Sequence, residues 1–388
     1  MGTLRTLLAL SVVLAHAPGP AVYSLVGGRN AVQLFYMISG FVITHVLLSV
    51  PAYADARTFY ASRALRIFPV YFAAAAFTLA WWALADPAAF QFFARLPASA
   101  LAFVALVNAT VVGQEWTLFL QADGGTLAFT SNFYASRSPL WPGLVVPQSW
   151  TLSLELMFYL LAPWLVRRRR LLWGVLVVSL AARAAAVAMG WGARDPWSYR
   201  FFPFEIALFA AGSLSYQVML GPWRRACEAR PWLPKAGTAL VAALVLAYPF
   251  VPAREAVATL ATIALVWLAM PLTFLFQERA PLDRRLGELS YPLYIGHYAM
   301  VAVAVGVANA FNARGQATVV GLYVLLAFAA AWGLLALIGW PVEKLRTRLR
   351  RMPPPVELPV AVSTDGASPS TPREALPTAA PGPARKGR

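Results

Sequence analysis

The sequence predicts an all-α polytopic membrane protein: a transmembrane helical bundle of about ten spans with one further partial or re-entrant segment. Of its 388 residues, 60% are hydrophobic and only 12% are charged, whereas an average soluble domain has roughly 25% charged residues. Near-continuous apolar runs recur from end to end, each close to the ~20 residues that a helix needs to cross a hydrocarbon core. The alternating ten-residue strands of a membrane barrel are not seen. Helical spans are therefore expected.

Eleven apolar segments carry this prediction along the chain. Their limits are 4–18, 31–50, 67–85, 99–113, 148–166, 171–190, 201–220, 236–253, 256–276, 289–309 and 318–340.

Basic clusters between these segments predict the topology, because positively charged loops favour the cytoplasmic side. From Arg167 onward every second loop is basic, which is consistent with six spans and a cytoplasmic C-terminus. Three segments separate Arg66 from Arg167, an odd number between two basic flanks, so one of them cannot cross; segment 99–113 is the weakest. The working topology has ten full spans and both termini in the cytoplasm. The clusters are Arg57, Arg63 and Arg66; Arg167 to Arg170; Arg224, Arg225, Arg230 and Lys235; Arg279, Arg284 and Arg285; and Lys344, Arg346, Arg348, Arg350 and Arg351.

The net charge of +16 does not indicate nucleic-acid binding, because the arginines fall in short clusters between apolar runs. The single cysteine, Cys227, is expected in a loop and can form no internal disulfide. No helix shows the paired carboxylates or clustered histidines that a metal site needs, so no metal is expected. Abundant alanine, and arginine far in excess of lysine, suggest a bacterial source and hence an inner or plasma membrane location.

Residues 1–345 are predicted to form one transmembrane domain, and 352–388 a disordered tail. The tail is rich in Pro, Ala and Ser and has almost no large apolar residues, so it cannot bury enough surface to fold. Residues 114–147 suit a partly ordered interfacial loop on the outer side. Ala15, His16 and Ala17 imitate a signal-peptide cleavage site, but a protein with many later spans does not need cleavage there.

Arg5 and His16 are the first candidates for chemistry, since ionisable residues at membrane depth are expensive and often functional. His16 is eleven positions after Arg5, which is about three helical turns or ~16 Å, with both side chains near one face. The arginine could bind an anionic donor, and a neutral imidazole could remove a hydroxyl proton. The alternative is that His16 is a structural or interfacial histidine.

Glu155 is the one carboxylate in the fifth segment, so it must be paired, protonated or facing a polar cavity. It could orient His16 or an acceptor hydroxyl, as carboxylates orient imidazoles elsewhere. The alternative is a salt bridge to an arginine on a neighbouring span. Glu205 is a second such carboxylate with a weaker claim.

Arg63 and Arg66 lie one turn apart at the predicted cytoplasmic end of a span, where two guanidinium groups can bind phosphates. Topology alone would also explain them. Ser39 and Gly40 interrupt the second segment with small residues, which permits a close backbone approach, usually for helix packing.

The tenth segment opens with Ser290 and Tyr291 and carries His297 at membrane depth. Pro292 would then stand near a helix start, where proline is tolerated. His45 lacks a comparable partner pattern and is expected to be structural or to line a cavity.

Taken in this order, five short segments resemble acyltransferase family 3, a family of membrane proteins that acylate sugars, glycans or other hydroxyl-bearing molecules. The resemblance covers about residues 4–345. Gln33 stands where many relatives carry Asp, and Thr151 where Ser is usual. The similar segments are Arg5 to His16, an arginine, ten residues and a histidine; Val32 to Phe41, ending in Ser-Gly-Phe; Arg63 to Tyr71, ending in Pro-Val-Tyr; Trp150 to Tyr159; and Ser290 to His297.

The resemblance implies a transfer of an acyl group, with acetyl as the expected group, from acyl-CoA to an acceptor hydroxyl, with acyl-CoA as co-substrate and no permanently bound cofactor. Family members often add an extracytoplasmic esterase-like domain; only the tail follows here, so a stand-alone transferase is expected. The implied roles are catalysis for His16, Arg5 and Glu155, with His16 as general base or transient acyl carrier; donor binding for Arg63, Arg66, Ser39 and Tyr71; and acceptor binding for Trp150, Ser153, Tyr291 and His297.

Two other functions remain open from the sequence. A transporter or flippase could use the same intramembrane charges as a pathway for a polar or anionic substrate. A structural or scaffolding membrane protein would make no use of Arg5, His16 and Glu155 together. A covalent product that depends on the donor separates the first alternative from the enzyme, and tolerance of alanine at all three positions would favour the second.

Overall fold

The computed structural model describes residues 1–20, 23–192, 194–252, 254–313 and 315–351. The predicted tail at 352–388 lies outside the described residues, and its disorder stays a prediction.

Each of the eleven apolar segments contains a helix, so the predicted all-α fold is confirmed. A two-stranded antiparallel hairpin, β1 (Leu120–Asp123) and β2 (Thr126–Phe129), accompanies the helices. Two π-helical stretches, Ser215–Met219 and Leu335–Gly339, connect α8 to α9 and α13 to α14. The α-helices are α1 (Gly2–Ala15), α2 (Gly27–Ser49), α3 (Ala56–Ala85), α4 (Gln91–Ala94), α5 (Ala98–Thr110), α6 (Trp150–Leu165), α7 (Arg169–Ala188), α8 (Phe202–Leu214), α9 (Leu220–Ala229), α10 (Leu233–Ala247), α11 (Glu255–Arg279), α12 (Pro281–Ala310), α13 (Gln316–Leu334) and α14 (Trp340–Arg351).

Eight helical stretches of the described chain are long and apolar enough to cross a membrane. Large apolar side chains such as Val178, Leu260 and Leu325 are more than 60% exposed on their surfaces, where lipid rather than water is the favourable neighbour. The polytopic architecture is therefore confirmed. The eight stretches are Gly27–Ser49, Ala56–Ala85, Arg169–Ala188, Phe202–Ala229, Leu233–Phe250, Glu255–Arg279, Pro281–Ala310 and Gln316–Arg350.

Helix α5 has the properties expected of the partial segment. Its 13 residues extend ~20 Å, against the ~30 Å of a hydrocarbon core. The chain then turns through Val111 and Gly113, both with positive φ. On the return path, Leu120 and Leu127 of the hairpin pack against the small apolar cluster formed by α5 and Leu140. The segment thus folds back along itself.

Two elements differ from the sequence prediction. Cys227 lies not in a loop but buried in α9, on the same face as Leu220, while Arg224 and Arg225 are exposed on the other face. The sequence predicted a loop here because the basic residues on one face of this short amphipathic helix obscured the apolar periodicity of the other face. Helix α12 begins at Pro281, eight residues before the predicted start, so Pro292 lies inside the helix. Its first two turns carry charges that an apolar window excludes.

The basic clusters gather at one end of the bundle, here called the basic end. Arg167, after α6, donates to the carbonyl oxygen of Tyr53 (3.3 Å), just before α3. Arg346 of α14 donates to the carbonyl oxygen of Ser62 (3.0 Å) in α3. Asp283 of α12 accepts from the backbone N–H of Thr3 (2.7 Å) and so caps the first turn of α1.

Helices α2 and α8 cross in close contact through one glycine on each. A Cβ atom on Gly40 would lie 2.0 Å from the carbonyl oxygen of Phe209, and one on Gly212 would lie 1.8 Å from that of Met37. The expectation that the small pair at residues 39 and 40 permits a close backbone approach is confirmed. The crossing fixes the position of α2, which carries Ser39 and Tyr36.

We expect Gly212→Ala to destabilise the protein by about 1–3 kcal/mol, because the added methyl group overlaps backbone that cannot move aside. Elsewhere in a helix the same change stabilises by up to about 1 kcal/mol. Gly174→Ala in α7 is the matched control, since nothing lies within 4 Å of a Cβ there. Thermal unfolding in detergent measures both variants. Equal unfolding temperatures for the two would contradict the crossing.

Candidate active site

A central cavity of about 450 Å³ lies between α1, α2, α3, α6, α12 and α14. Its lining is strongly cationic, with six arginines against three glutamates. The arginines are Arg5, Arg63, Arg66, Arg284, Arg346 and Arg350, and the glutamates are Glu155, Glu288 and Glu343.

Arg63 and Arg66 reach this cavity from the second and third turns of α3. The helix starts where the carboxylate of Asp55 accepts from the backbone N–H groups of Arg57 (3.2 Å) and Thr58 (2.8 Å). Arg63 is only 6% exposed, and its Nε has no hydrogen-bond partner among the described residues. A buried cation with an unused donor is suited to a bound anion.

Glu155 lies in the same cavity as Arg5, and its carboxylate is held by two hydroxyl groups. Tyr159, one turn further along α6, donates to Oε1 (2.5 Å), and Ser39 of α2 donates to the same oxygen. Glu155 therefore joins α2 to α6 and adds a negative charge near the arginines. Its described hydrogen bonds do not involve His16.

Helix α14 supplies arginines to the central cavity that the sequence analysis assigned to topology alone. Arg346 is 5% exposed, donates to Ser62 and pairs with Glu343; Arg350 pairs with the same glutamate. Residues 343, 346 and 350 recur at helical spacing. That periodicity was the available signal for a helix with one face toward the bundle.

His16 lines a second cavity of about 310 Å³, here called the histidine cavity. Its Nδ1 lies 2.8 Å from the carbonyl oxygen of Val12. Because a carbonyl oxygen only accepts, Nδ1 carries the proton and Nε2 keeps a lone pair. The imidazole stands at the C-cap of α1, 5.2 Å from the ring of His297 and 5.6 Å from that of Tyr298, centroid to centroid. Such an imidazole can accept a proton through Nε2.

A hydrogen-bonded partition, made by Gln148, Thr151 and Tyr294, separates the two cavities. Thr151 and Tyr294 line the central cavity, and Gln148 lines the histidine cavity. The hydroxyls of Thr151 and Tyr294 lie 2.8 Å apart, and the Tyr294 hydroxyl donates to the backbone oxygen of Gln148 (3.1 Å). Sequence reasoning missed Gln148 and Tyr294 as functional residues, although both fall inside the segments that it singled out.

His297 is fully buried next to His16 and lines neither cavity. Its Nδ1 donates to the carbonyl oxygen of Tyr294 (2.7 Å), and its Nε2 has no hydrogen-bond partner among the described residues. Its ring packs against the ring of His16. Its contacts are those of a positioning residue.

Of the other predicted site residues, Tyr291 lines the central cavity and donates to the carbonyl oxygen of Ile67 (2.8 Å). Three more line neither cavity. Tyr71 donates to the carbonyl oxygen of Asn108 (2.8 Å), Ser153 accepts from the N–H of Gly113 (2.7 Å), and Trp150 stacks under Arg200 (4.4 Å from the carbon to the ring centroid). Tyr71 thus joins α3 to α5, Ser153 joins α6 to the turn after α5, and Trp150 joins α6 to the segment before α8.

Glu205 belongs to a separate buried network near the start of α8. Its fully buried carboxylate pairs with Arg183 of α7 (3.0 Å) and accepts from the side-chain amide of Gln33 (3.3 Å). Glu205 therefore forms a buried salt bridge and has the contacts of a structural residue. In the outer loop, burial raises the pKa of the Glu115 carboxyl above its usual value.

The fold and the two cavities together define a class of protein: a membrane-embedded bundle with a cationic cavity on one side of a partition and a histidine on the other. The chain belongs to acyltransferase family 3, since the family profile, described as an acyltransferase domain, matches residues 2–338. It is therefore a membrane protein of this acyltransferase family, and the resemblance seen in the sequence is confirmed. This supports the enzyme over the transporter and scaffold alternatives.

Among curated proteins, the chain is similar to Nodulation protein 10 of Rhizobium leguminosarum bv. viciae. The two are 29% identical over 195 residues, which cover 46% of this chain and 47% of that protein. No solved structure matches the chain significantly.

Proposed function

We propose that the protein transfers an acyl group, acetyl in the simplest case, from acyl-CoA to a hydroxyl of a sugar, glycan or other small molecule. The observation that carries this proposal is the division of the site. Arginines in excess of carboxylates line one cavity, and a histidine whose Nδ1 is bonded to the backbone, which leaves the Nε2 lone pair for chemistry, lines the other. This suits an anionic donor on one side and a hydroxyl acceptor on the other.

Donor binding falls to the central cavity. The phosphates of CoA would contact Arg63 and Arg66, with Arg346 and Arg350 at the mouth, and Arg5 would lie deeper, toward the thioester. Charge-assisted hydrogen bonds from arginine to phosphate are short and strong. The unused Nε of Arg63 supports this assignment.

The chemistry needs one proton acceptor and one passage through the partition. The acceptor hydroxyl gives its proton to Nε2 of His16, and its oxygen attacks the thioester carbonyl carbon. A C–O bond forms, the C–S bond breaks, and the CoA thiolate leaves and takes up a proton. Glu155, through Ser39 and Tyr159, holds the groups around the donor. The side chains of Gln148 and Tyr294 must shift to admit the acyl group.

The basic end is proposed to face the cytoplasm, with both termini on that side, in a bacterial inner or plasma membrane. The gathering of the basic clusters at one end of the bundle supports this orientation. The central cavity is lined by residues of that end, so it would open toward cytoplasmic acyl-CoA. The histidine cavity would then lie in the outer half.

The test is transfer of labelled acetyl from acetyl-CoA in membranes that contain the protein. We expect a covalent product, and we expect Arg63→Gln with Arg66→Gln to raise the KM for acetyl-CoA about 10- to 100-fold, because hydrogen bonds to charged groups contribute about 1.5–3 kcal/mol. Arg170→Gln, an exposed arginine outside the cavity, is the matched control and should leave KM unchanged. An unchanged KM in the double variant would contradict the donor assignment.

A transporter would move its substrate unchanged. Uptake or efflux of unmodified substrate without any acylated product, across a panel of CoA thioesters, would overturn the proposed function.

A further inference from the structure

The lining of the histidine cavity is mostly apolar. Trp81 and Trp82 of α3, Val301 and Ala302 of α12, and Val145 and Val146 all line it. A free oligosaccharide carries hydroxyl groups on every side, and each one buried without a partner costs about 1–3 kcal/mol. Such a wall instead suits an apolar chain.

The cavity lies between two helices that face lipid. Helices α3 and α12 are joined near the basic end, where Tyr291 donates to the carbonyl oxygen of Ile67. Further along, the cavity occupies the space between them, at Thr78 to Trp82 and Ile295 to Ala302. Leu79 is 40% exposed beside it, and Ala302 is exposed on its rim. The opening between these helices therefore faces the bilayer.

Two side chains that line the cavity, Gln148 and His16, carry hydrogen-bond acceptors. The side-chain Nε2 of Gln148 donates to the carbonyl oxygen of Ile295 (2.7 Å), which fixes the amide, and its Oε1 is buried with no hydrogen-bond partner among the described residues. Nε2 of His16 carries the second lone pair. One hydroxyl proton can satisfy only one of them, so a head group with two hydroxyl donors fits this pair.

We propose that the acceptor is a membrane-resident amphiphile, which enters sideways from the bilayer between α3 and α12. Its apolar chain lies against Trp81 and Trp82, and its polar head presents one hydroxyl to Gln148 and the reacting hydroxyl to His16. This proposal rests on the proposed function. It makes Gln148 an acceptor-binding residue and the gap between α3 and α12 the route of the acceptor.

The experiment uses native membranes in which the gene has been deleted and then restored as wild type or variant. Membranes receive labelled acetyl-CoA and are extracted with butanol, which separates amphiphiles from water-soluble molecules and from insoluble glycans. We expect label that depends on the protein in the butanol phase, released as acetate by mild alkali. Label confined to water-soluble or insoluble fractions would overturn the proposal and leave acyl transfer intact.

The route is tested by filling the gap from the lipid side. Ala302→Trp places an indole in the opening and should lower labelling of the amphiphile fraction about tenfold. Ala76→Trp, at an exposed alanine of α3 outside the cavity lining, is the matched control and should label like the wild type. Equal labelling by both variants would overturn the lateral route.

The two proposals fail in different ways. If no fraction carries label that depends on the protein, with acetyl-CoA or any other CoA thioester, the proposed function fails and the inference with it. If label appears only outside the butanol phase, the inference alone fails.

Discussion

Replacing His16 with alanine is expected to lower kcat about 10²- to 10⁴-fold, the usual contribution of a general base. The variant loses the only lone pair of the histidine cavity that belongs to an imidazole, because His297 lies behind it and outside the lining. The KM for acyl-CoA should change little, since His16 does not line the central cavity. Steady-state acyl transfer in detergent or nanodiscs measures both constants.

His45 provides the matched control for this variant. It lies at membrane depth in α2, with its Nδ1 3.3 Å from the Tyr216 hydroxyl, and it lines neither cavity. His45→Ala should keep the wild-type kcat. Wild-type turnover in His16→Ala, with an unchanged unfolding temperature, would remove His16 from the chemistry. A labelled acyl group trapped on His16 would instead make it the acyl carrier.

The second large effect is expected for Glu155→Gln, which keeps the shape of the side chain and removes its charge. The hydrogen bonds from Ser39 and Tyr159 would lose their charged acceptor, at about 1.5–3 kcal/mol for such a bond. If that energy is used to position the donor, kcat falls about 10- to 100-fold. Arg5 and Arg66 also lose a nearby counter-charge, so the apoprotein should unfold at a lower temperature.

Bound donor separates these two effects. The phosphates of CoA would bring back negative charge, so CoA should raise the unfolding temperature of Glu155→Gln more than that of the wild type. Glu288→Gln removes the same charge from an exposed residue of the same cavity. It should leave kcat and the unfolding temperature nearly unchanged. An equal effect of the two substitutions would mean that only net charge matters, and would contradict the positioning role of Glu155.

The sequence was sufficient for the fold because membrane spans depend on local composition. Each apolar segment contains a helix, and the odd number of segments between Arg66 and Arg167 predicts one partial segment, for which the short helix α5 is a candidate. The predicted helix boundaries were wrong in two places. Helix α12 begins at Pro281 with charged residues in its first turns, and the helix around Cys227 has charged residues along one face.

The site was harder, because spacing along one helix says nothing about which neighbour the helix packs against. The ten residues between Arg5 and His16 predicted their distance along the helix, but could not predict that a partition would place them in different cavities. The expected link from Glu155 to His16 is absent from their described hydrogen bonds for the same reason. Gln148 and Tyr294 carry no charge, so the sequence pattern did not single them out. Their role became visible only in the structure, where the Tyr294 hydroxyl donates to the backbone oxygen of Gln148.

The partition has a consequence for the movement of protons through the protein. A proton could hop along a chain of hydroxyl groups or waters, but the hydroxyls of Thr151 and Tyr294 lead to the backbone carbonyl of Gln148, which accepts a hydrogen bond and has no proton to pass on. The chain of hydrogen bonds therefore ends there instead of forming a proton wire. In the proposed orientation, these described hydrogen bonds provide no continuous proton path between the central cavity and the histidine cavity while the partition is closed.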